Sequence, residues 1–592
     1  MDRNRADVSP VPAPPLLFQP GIMEIVVCGI TALAYVGTLA FGFVYDDVPL
    51  ILKNPALHDS GHIPQYFTSH VLAAIYPNIA GNYYRPLLLL WLRLNYVLFG
   101  TNPVGWHGAS VLCHVAVTYL VFRIAEQLTR GRMIAFAASL LFGLHPAHIE
   151  NVAWISGATD LLMALFALAS CSAFLSYCDS QKKVQRALSL VLFAFALLSK
   201  EPAIILPLLI FVLSLNRPSI GGKAADRQSR VAGAIRAAAP YGLVAVAYVA
   251  VRFRVLHGIA HPTISISWTE VFLTWPSVLL FYMQHLFLPL RLSEFYSLGY
   301  VHYLSADSVL LPLSLLLALT LALYYWIRRL PQRQVALFSI AWIILPLLPV
   351  LDLRSLTAGD IVHDRYLYLS SVGFALLVAL SIDAVGQHMA GRRRVTVSAI
   401  LTAVVLLLFG TLTLAEQGQW ANDIALYTRG VESAPDSLTI RDNLANALLN
   451  ANQPGRAIPL YLDVIKKNPN FWRSNYNLGY AYYKTGNLVA AEESLQRAIM
   501  IDASDSDQYI YLALVEFQLE RLPEAAENAK RAIARNPHRH GYHFIFGLIC
   551  ESQEDRETAT AEFKEELAFY PDNAAAEAEL QKIGNAAGNP RH

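Results

Sequence analysis

Two adjacent carboxylates, Asp46 and Asp47, follow directly after an apolar run from Ile22 to Phe43. Two acidic groups at a membrane boundary are costly, because each carboxylate disfavours ionisation of the other and hydrocarbon solvates neither. One carboxylate of such a pair can accept a proton as a general base, and the adjacency permits binding of a metal ion. An exposed loop start, where two neighbouring aspartates cost nothing, explains the same residues. On this pair alone, both interpretations stay open.

Four further segments carry charged and aromatic side chains that suit a polar substrate. They are Tyr83-Tyr84-Arg85-Pro86, His145-Pro146-Ala147-His148-Ile149-Glu150 followed by Trp154 and Asp160, Ser199-Lys200-Glu201-Pro202, and His363-Asp364-Arg365-Tyr366-Leu367-Tyr368. Arginine and lysine suit phosphate oxygens. Ion pairs of Arg365 with Asp364 and of Lys200 with Glu201 are the structural alternative.

The spacing of His145, His148 and Glu150 is ligand-like, but Pro146 breaks a regular helix at this point. We therefore expect these side chains to hydrogen-bond a polar ligand or to cap local structure, and we assign no metal site. The five cysteines show neither zinc spacing nor a disulfide framework.

Membrane-spanning helices must position these segments, so the expected fold class is all-α. Of the 592 residues, 55% are hydrophobic and 15% are charged, against about 25% charged in soluble proteins. Apolar segments predict about eleven spans, at 22–43, 104–125, 133–144, 161–177, 187–198, 203–215, 240–256, 308–327, 335–351, 367–386 and 395–414. Residues 269–290 contain Pro276, Pro289 and His285, and we interpret them as re-entrant or interfacial.

Basic residues predict the orientation of these spans. With eleven spans, six clusters fall on one side: Arg3/Arg5, Arg123/Arg130/Arg132, Lys182/Lys183/Arg186, the loop 217–236, Arg328/Arg329/Arg333 and Arg392/Arg393/Arg394. The positive-inside rule makes that side cytoplasmic, which places the N-terminus inside and the C-terminal region outside. The motif segments and most acidic residues then meet at the outer face, beside a long first outer loop over 45–104 that contains an interfacial helix over 87–99.

The C-terminal region repeats every 34 residues from residue 435. Pro435, Pro469, Ala503, Pro537 and Pro571 occupy equivalent positions, and the unit with Trp472, Leu478, Gly479, Tyr482, Ala491 and Ala498 matches the tetratricopeptide pattern. Such hairpins stack into a solenoid with a concave groove. We expect this groove to bind an extended peptide or a partner protein through Asn446, Asn450, Tyr476, Tyr480 and Tyr483.

These motifs, in this order and with C-terminal repeats, resemble the transmembrane and TPR repeat-containing (TMTC) family. An acidic pair after the first helix and a long first outer loop are also similar to the GT-C class of glycosyltransferases, to which protein O-mannosyltransferases belong. The similarity extends from Phe41 to about Asn573. One departure is Ala158, where relatives often carry arginine, so a donor-phosphate contact from that position is in doubt.

The resemblance implies inverting transfer of a sugar, mannose in that family, from a polyprenyl-phosphate carrier to Ser/Thr hydroxyls of exported proteins. By analogy, Asp46 is the general base and Asp47 positions the acceptor or a metal. Arg365, Lys200 and Arg85 contact the phosphate. His145, His148, Glu150, Asp160, Glu201, Asp364 and Tyr368 complete the substrate site. No cofactor is certain, and a divalent ion remains an option.

The expected organisation is a cytoplasmic tail over 1–21, a GT-C-like transmembrane domain over 22–415, a connecting helix over 416–434, repeats over 435–573 and a tail over 574–592. Expected partners are membrane lipid, a polyprenyl-phosphate sugar and acceptor or partner proteins, with no nucleic acid. Two alternatives remain: a glycosyltransferase of surface polysaccharide or lipid assembly, and a non-catalytic membrane scaffold. A short repeat array without an Asn-x-Ser/Thr sequon favours a bacterial inner membrane over the endoplasmic reticulum.

Overall fold

A computed structural model describes residues 21–76, 81–215, 227–258, 266–356, 359–389 and 392–587. These residues form helices joined by loops and turns, without a β-strand, and they make up two compact units that divide between Arg429 and Gly430. The all-α prediction is confirmed. The basic cluster Arg3/Arg5 and residues 217–226 of the predicted cytoplasmic loop lie outside the described residues.

The first unit consists of fifteen helices and the start of a sixteenth. They are α1 Ile22–Tyr35, α2 Pro55–His58, α3 Pro86–Phe99, α4 Pro103–Thr129, α5 Arg132–Gly143, α6 Ile149–Ala153, α7 Ala158–Ser180, α8 Lys183–Ser199, α9 Leu206–Leu215, α10 Arg227–Leu256, α11 Trp268–Phe287, α12 Leu311–Ile327, α13 Arg333–Ile344, α14 Leu367–Gln387, α15 Arg392–Glu416 and α16 Asp423–Ser433.

The described residues contain eight helical stretches that are long and apolar enough to cross a membrane, or nine if the bent pair α5 and Pro146–Ala153 is one span. The chain is therefore a multi-pass membrane protein, with fewer independent spans than the eleven predicted. The two remaining predicted segments form α8 and the apolar run Glu201–Leu215. At about 1.5 Å per residue, the 17 residues of α8 reach about 26 Å, short of a core about 30 Å thick.

Residues 269–290 do not form an interrupted element. Residues 269–287 lie in α11, a continuous helix that begins at a capping box between Ser267 and Glu270 and contains Pro276 without a break, and Pro289 follows the end of this helix. Since α11 is not among the eight candidate spans, the predicted orientation stays a prediction.

The motif segments are held by closely packed helices. α7 packs on α4 and α8, and α14 packs on α5 and α13. Gly373 permits the α13–α14 approach, because a Cβ at this position would lie 2.4 Å from the carbonyl oxygen of Ser339. The expected interfacial helix forms as α3, which packs on α4 and α8 and exposes Leu94, Val97 and Leu98.

The second unit is an array of helical hairpins, as the 34-residue period predicts. Its helices are α17 Leu438–Asn450, α18 Pro454–Lys467, α19 Trp472–Lys484, α20 Leu488–Ile501, α21 Ser506–Gln518, α22 Leu522–Arg535, α23 Tyr542–Ser552, α24 Arg556–Phe569 and α25 Ala574–Ala587. Gly479 lies where a Cβ would meet Leu495 at 2.6 Å, so the small residue lets α19 and α20 pair closely. The predicted C-terminal tail is instead the helix α25, which packs on α24.

Candidate active site

Asp47 is completely buried after the first span and is held by three hydrogen bonds. Its Oδ1 accepts from the N–H and the hydroxyl of Ser156 at 2.8 and 2.6 Å, and its Oδ2 accepts from the N–H of Val44 at 3.1 Å. Burial raises the pKa of Asp47 to about 7, although the hydrogen bonds oppose the shift. A carboxylate enclosed in this way anchors the loop, and the contact of Asp47 with an acceptor or metal stays a prediction.

Asp46 precedes Asp47 in the sequence, but its carboxylate is less enclosed than that of Asp47. The residue is half-buried, and its carboxylate accepts no hydrogen bond from any described residue. Burial raises the pKa of Asp46, and the positive charge of Arg365 opposes that shift. A carboxylate with a raised pKa and unused lone pairs is suited to accept a proton from a substrate hydroxyl.

Arg365 is fixed by two glutamates rather than by its sequence neighbour Asp364. Its Nη1 donates to Glu150 and, at 2.8 and 3.0 Å, to both carboxylate oxygens of Glu294, and its backbone N–H donates to Glu150 at 2.9 Å. Asp364 accepts from the hydroxyl of Tyr296 at 2.5 Å instead. The expected Arg365–Asp364 ion pair is therefore wrong, and Glu150 positions Arg365.

The surroundings of Arg365 are rich in acids. Glu150, Glu294 and His363 are buried and place one possible ligand atom each within 4.8 Å of one another. The guanidinium already lies against both glutamates, so Arg365 supplies positive charge where a metal ion would. Asp360 lies 3.6 Å from Nε2 of His363, and burial raises the pKa of Asp360 to about 6. Burial also raises the pKa of Glu294 well above its usual value.

The basic residues of the other two segments pair differently from the prediction. The ammonium of Lys200 donates to Asp160 at 2.5 Å, and the guanidinium of Arg85 donates to Glu201 at 2.8 and 3.0 Å. Lys200 and Glu201 therefore do not form the expected ion pair. The ion pairs Lys200–Asp160 and Arg85–Glu201 instead each join two distant parts of the chain.

Arg85, Lys200 and Glu201 line a cleft of about 180 Å³. One part of its lining is polar and includes Asn82, Tyr83, Arg85, Lys200, Glu201, Arg252, Asp352 and Tyr366, and the other is formed by Pro202, Pro349, Val350 and Leu356. The lining carries three basic and two acidic side chains. A single negative charge with an apolar tail would match this combination.

Tyr366 connects the cleft to the carboxylates. Its ring lies 5.2 Å from the ammonium of Lys200 and 5.3 Å from the guanidinium of Arg365. The positive charge of Arg365 in turn opposes the rise in the pKa of Asp46. The structure thus brings Asp46, Arg85, Glu150, Asp160, Lys200, Glu201 and Arg365 into one region.

His145, His148 and Tyr368 do not face this region. All three are completely buried. His145 hydrogen-bonds the carbonyl of Leu286 at 3.0 Å, His148 bonds the hydroxyl of Ser371 at 2.7 Å, and Tyr368 bonds His114 at 2.7 Å. Helix packing thus engages at least one polar atom of each side chain, and their contact with substrate stays a prediction.

Several residues of the region are absent from the sequence prediction of the site. Glu294, Asp360, Arg252 and Tyr366 belong to it, and Ser156 holds Asp47. Glu294 and Asp360 could have been found as acids in outer-face segments. Ser156 and Arg252 carry no local signal, because only folding brings them to their partners.

In the second unit, the predicted tyrosines share one surface. Tyr476, Tyr480 and Tyr483 surround Tyr511, with ring centroids 6.0, 4.7 and 6.4 Å from it. Asn450 is exposed. Asn446 instead accepts from Tyr461 at 2.6 Å and from Asn477 at 2.7 Å, so the helix array uses its amide internally. Peptide binding by this surface stays a prediction.

Family models match both units. Residues 84–225 match the dolichyl-phosphate-mannose-protein mannosyltransferase model, and residues 443–507 and 512–574 match the tetratricopeptide repeat model. A crystal structure of MamA is 24% identical, with a TM-score of 0.24, and the match covers 26% of this chain and 88% of that chain.

Curated relatives match across both units. The protein O-mannosyl-transferase F38B6.6 of Caenorhabditis elegans is 26% identical over 453 residues, covering 76% of this chain and 63% of the relative. The human protein O-mannosyl-transferase TMTC3 is 24% identical over 560 residues, covering 86% of this chain and 60% of the relative. The chain thus spans about 60% of the length of these relatives.

Proposed function

We propose that the chain is a membrane glycosyltransferase that moves a sugar from a polyprenyl-phosphate carrier to a protein hydroxyl. The proposal starts from its membership of the TMTC family. The names of its relatives favour mannose as the sugar and Ser/Thr as the acceptor. The observation that carries the proposal is the cleft, whose lining combines the basic side chains of Arg85, Lys200 and Arg252 with apolar residues.

The cleft fits the donor's chemistry. A polyprenyl-phosphate sugar is a phosphodiester, so it carries one negative charge and a long apolar chain. The lining contains three basic side chains, Arg85, Lys200 and Arg252, which suit the oxygens of a phosphodiester. Pro202, Pro349 and Val350 offer an apolar surface to the first isoprene units. Arg365 takes a different part from the predicted phosphate contact in this proposal, because it is not among the residues that line the cleft.

The transfer is a single displacement with inversion. Asp46 removes the proton of the acceptor hydroxyl as its oxygen forms a bond to the anomeric carbon. The bond from that carbon to the phosphate oxygen breaks at the same time, and the polyprenyl phosphate leaves with the electron pair. Lys200 and Arg85 stabilise the charge that develops on the departing phosphate. Asp47 keeps the loop in place and takes no part in proton transfer.

Protein acceptors come to this site from the exported side in the proposal. The tyrosines around Tyr511 hold an extended segment of the acceptor or of a partner protein. We place the site at the exoplasmic face because of the distribution of basic residues. We place the chain in a bacterial inner membrane in preference to the endoplasmic reticulum because its repeat array is short and lacks an Asn-x-Ser/Thr sequon.

The test uses the purified full chain in detergent with polyprenyl-phosphate [3H]mannose. Peptides rich in Ser and Thr, lipid acceptors and glycans are offered in parallel. Label that is attached to peptide and released by alkaline β-elimination supports the proposal. Label on lipid or glycan alone identifies an enzyme of surface polysaccharide or lipid assembly, and no transfer from any polyprenyl-phosphate sugar leaves a non-catalytic scaffold.

A further inference from the structure

The residue before Asp46 has an unusual backbone conformation. Tyr45 has a φ of 55°, in the left-handed region that bulky side chains seldom adopt. Its ring packs among Trp154, Phe295 and Tyr427, with centroids at 5.7, 5.8 and 6.5 Å. Strained backbone persists only where neighbouring groups determine it, so something must hold Tyr45 in place.

One hydrogen bond holds the Tyr45 peptide directly. Its N–H donates to Oδ1 of Asp423 at 2.9 Å, across 378 positions of sequence. Asp423 is the first residue of α16. Its carboxylate is not needed to cap this helix, because Asn422 accepts from the N–H of Ala425 at 3.0 Å. The carboxylate is therefore available to Tyr45.

The segment that contains Asp423, residues 417–429, contacts three separate parts of the first unit. Ala421 accepts from the N–H of Gly42 at 3.2 Å, and Trp420 stacks on Trp154 at 5.8 Å. Tyr427 stacks on Phe295 at 5.9 Å, and Arg429 donates to the carbonyl of Leu292 at 2.9 Å. The segment 417–429 thus joins the loop of Asp46 to the segments that carry Glu150 and Glu294.

Both sides of Asp46 are thus fixed while its own carboxylate is not. Asp423 holds the peptide N–H of Tyr45 on one side, and Ser156 holds the Asp47 side chain on the other. Fixing the flanking residues determines the direction of the Asp46 side chain without occupying its oxygens. A displacement of about 1 Å at a reacting group can lower a rate about 100-fold.

We propose that Asp423 is a positioning residue for sugar transfer, which holds Tyr45 in its left-handed conformation and so directs Asp46 towards the acceptor hydroxyl. The inference rests on the proposed function, since it assigns Asp46 as the base. Asp423 touches neither donor nor acceptor, so its loss lowers the turnover rate and leaves donor binding intact.

The experiment compares three variants of the full chain in detergent. Asp423→Ala removes the acceptor of the Tyr45 N–H, and we expect kcat to fall about 10- to 100-fold with the donor KM unchanged. Asp423→Asn keeps an acceptor oxygen and should restore most of the rate. Asn422→Ala is the matched control, because it removes the helix cap one residue earlier without touching Tyr45; it should lower Tm but keep kcat.

A second measurement makes the inference independent of the transfer assay. Amide hydrogen exchange of a peptide covering residues 41–48 should become faster in Asp423→Ala, but not in Asn422→Ala. Unchanged exchange and unchanged kcat in Asp423→Ala would overturn the positioning role. Equal losses in both variants would do the same, since they would show general destabilisation. A wild-type chain that transfers no sugar would contradict the proposed function instead, and the exchange experiment would still decide the structural link.

Discussion

Asp46 and Asp47 are adjacent, yet the structure predicts opposite consequences when each is replaced by asparagine. Asp46→Asn removes the proposed base but no hydrogen bond to a described residue. General-base catalysis contributes about 10²- to 10⁴-fold, so the transfer rate should fall by that factor, equivalent to about 3–5 kcal/mol in the barrier. Stability should change little, because the asparagine leaves no donor of the described residues without an acceptor.

Asp47→Asn is the matched comparison. An asparagine side chain has one acceptor oxygen, so it can serve either the Ser156 donors or the Val44 N–H, but not both. One buried donor is then unpaired, at a cost of about 1–3 kcal/mol of stability. The remaining folded protein should keep a measurable transfer rate, because Asp46 retains its carboxylate.

The assay pairs initial rates of labelled-sugar transfer with thermal unfolding followed by intrinsic fluorescence, for wild type and both variants in the same detergent. Loss of rate without loss of Tm in Asp46→Asn, and loss of Tm with residual rate in Asp47→Asn, is the expected pattern. The reasoning is refuted if Asp46→Asn transfers sugar at the wild-type rate, or if Asp47→Asn is the more inactive variant while equally stable.

Four further outcomes follow from the same contacts. Lys200→Met should raise the donor KM about 10- to 100-fold, as expected for a lost charged hydrogen bond. It should also lower the Tm, because Asp160 is left buried without its partner. The double variant Lys200→Met/Asp160→Asn should recover the Tm but keep the raised donor KM. The pH profile of kcat/KM should rise with pH as Asp46 ionises, with its acid limb above the usual carboxyl pKa of 3.8, since burial raises the pKa of Asp46; a limb at or below 3.8 would contradict the assignment. Burial raises the pKa of Asp47 in the folded state to about 7, against a reference value of 3.8, so protonation of Asp47 favours the folded state. The free energy of unfolding of the wild type should therefore fall as the pH rises from about 4 to 7, and the Asp47→Asn variant should lack this part of the pH dependence. Tyr511→Ala should raise the KM for a protein or peptide acceptor while leaving the donor KM unchanged, and an unchanged acceptor KM would remove the tyrosine surface from acceptor binding.

The sequence by itself determined the features that depend on near neighbours. The 34-residue period predicted the helical hairpins, because each hairpin packs through small residues such as Gly479 and Ala491 at fixed positions. Apolar segments likewise located the helices of the first unit, although length separates α8 from the helices that span a membrane alone. The motif segments containing Asp46, Arg85, Lys200 and Arg365 were found for the same reason, since each is a short local pattern.

Only the tertiary structure decided which of these residues pair. Sequence adjacency favoured Arg365 with Asp364 and Lys200 with Glu201, but the folded chain pairs Arg365 with Glu150 and Glu294, and Lys200 with Asp160. The same holds for Asp47 with Ser156 and for Tyr45 with Asp423. Neighbouring residues on a turn direct their side chains apart, whereas a buried charge needs a partner that helix packing brings from another segment. Which carboxylate stays free to act as a base is therefore a property of the packed helices, and no local pattern carries it.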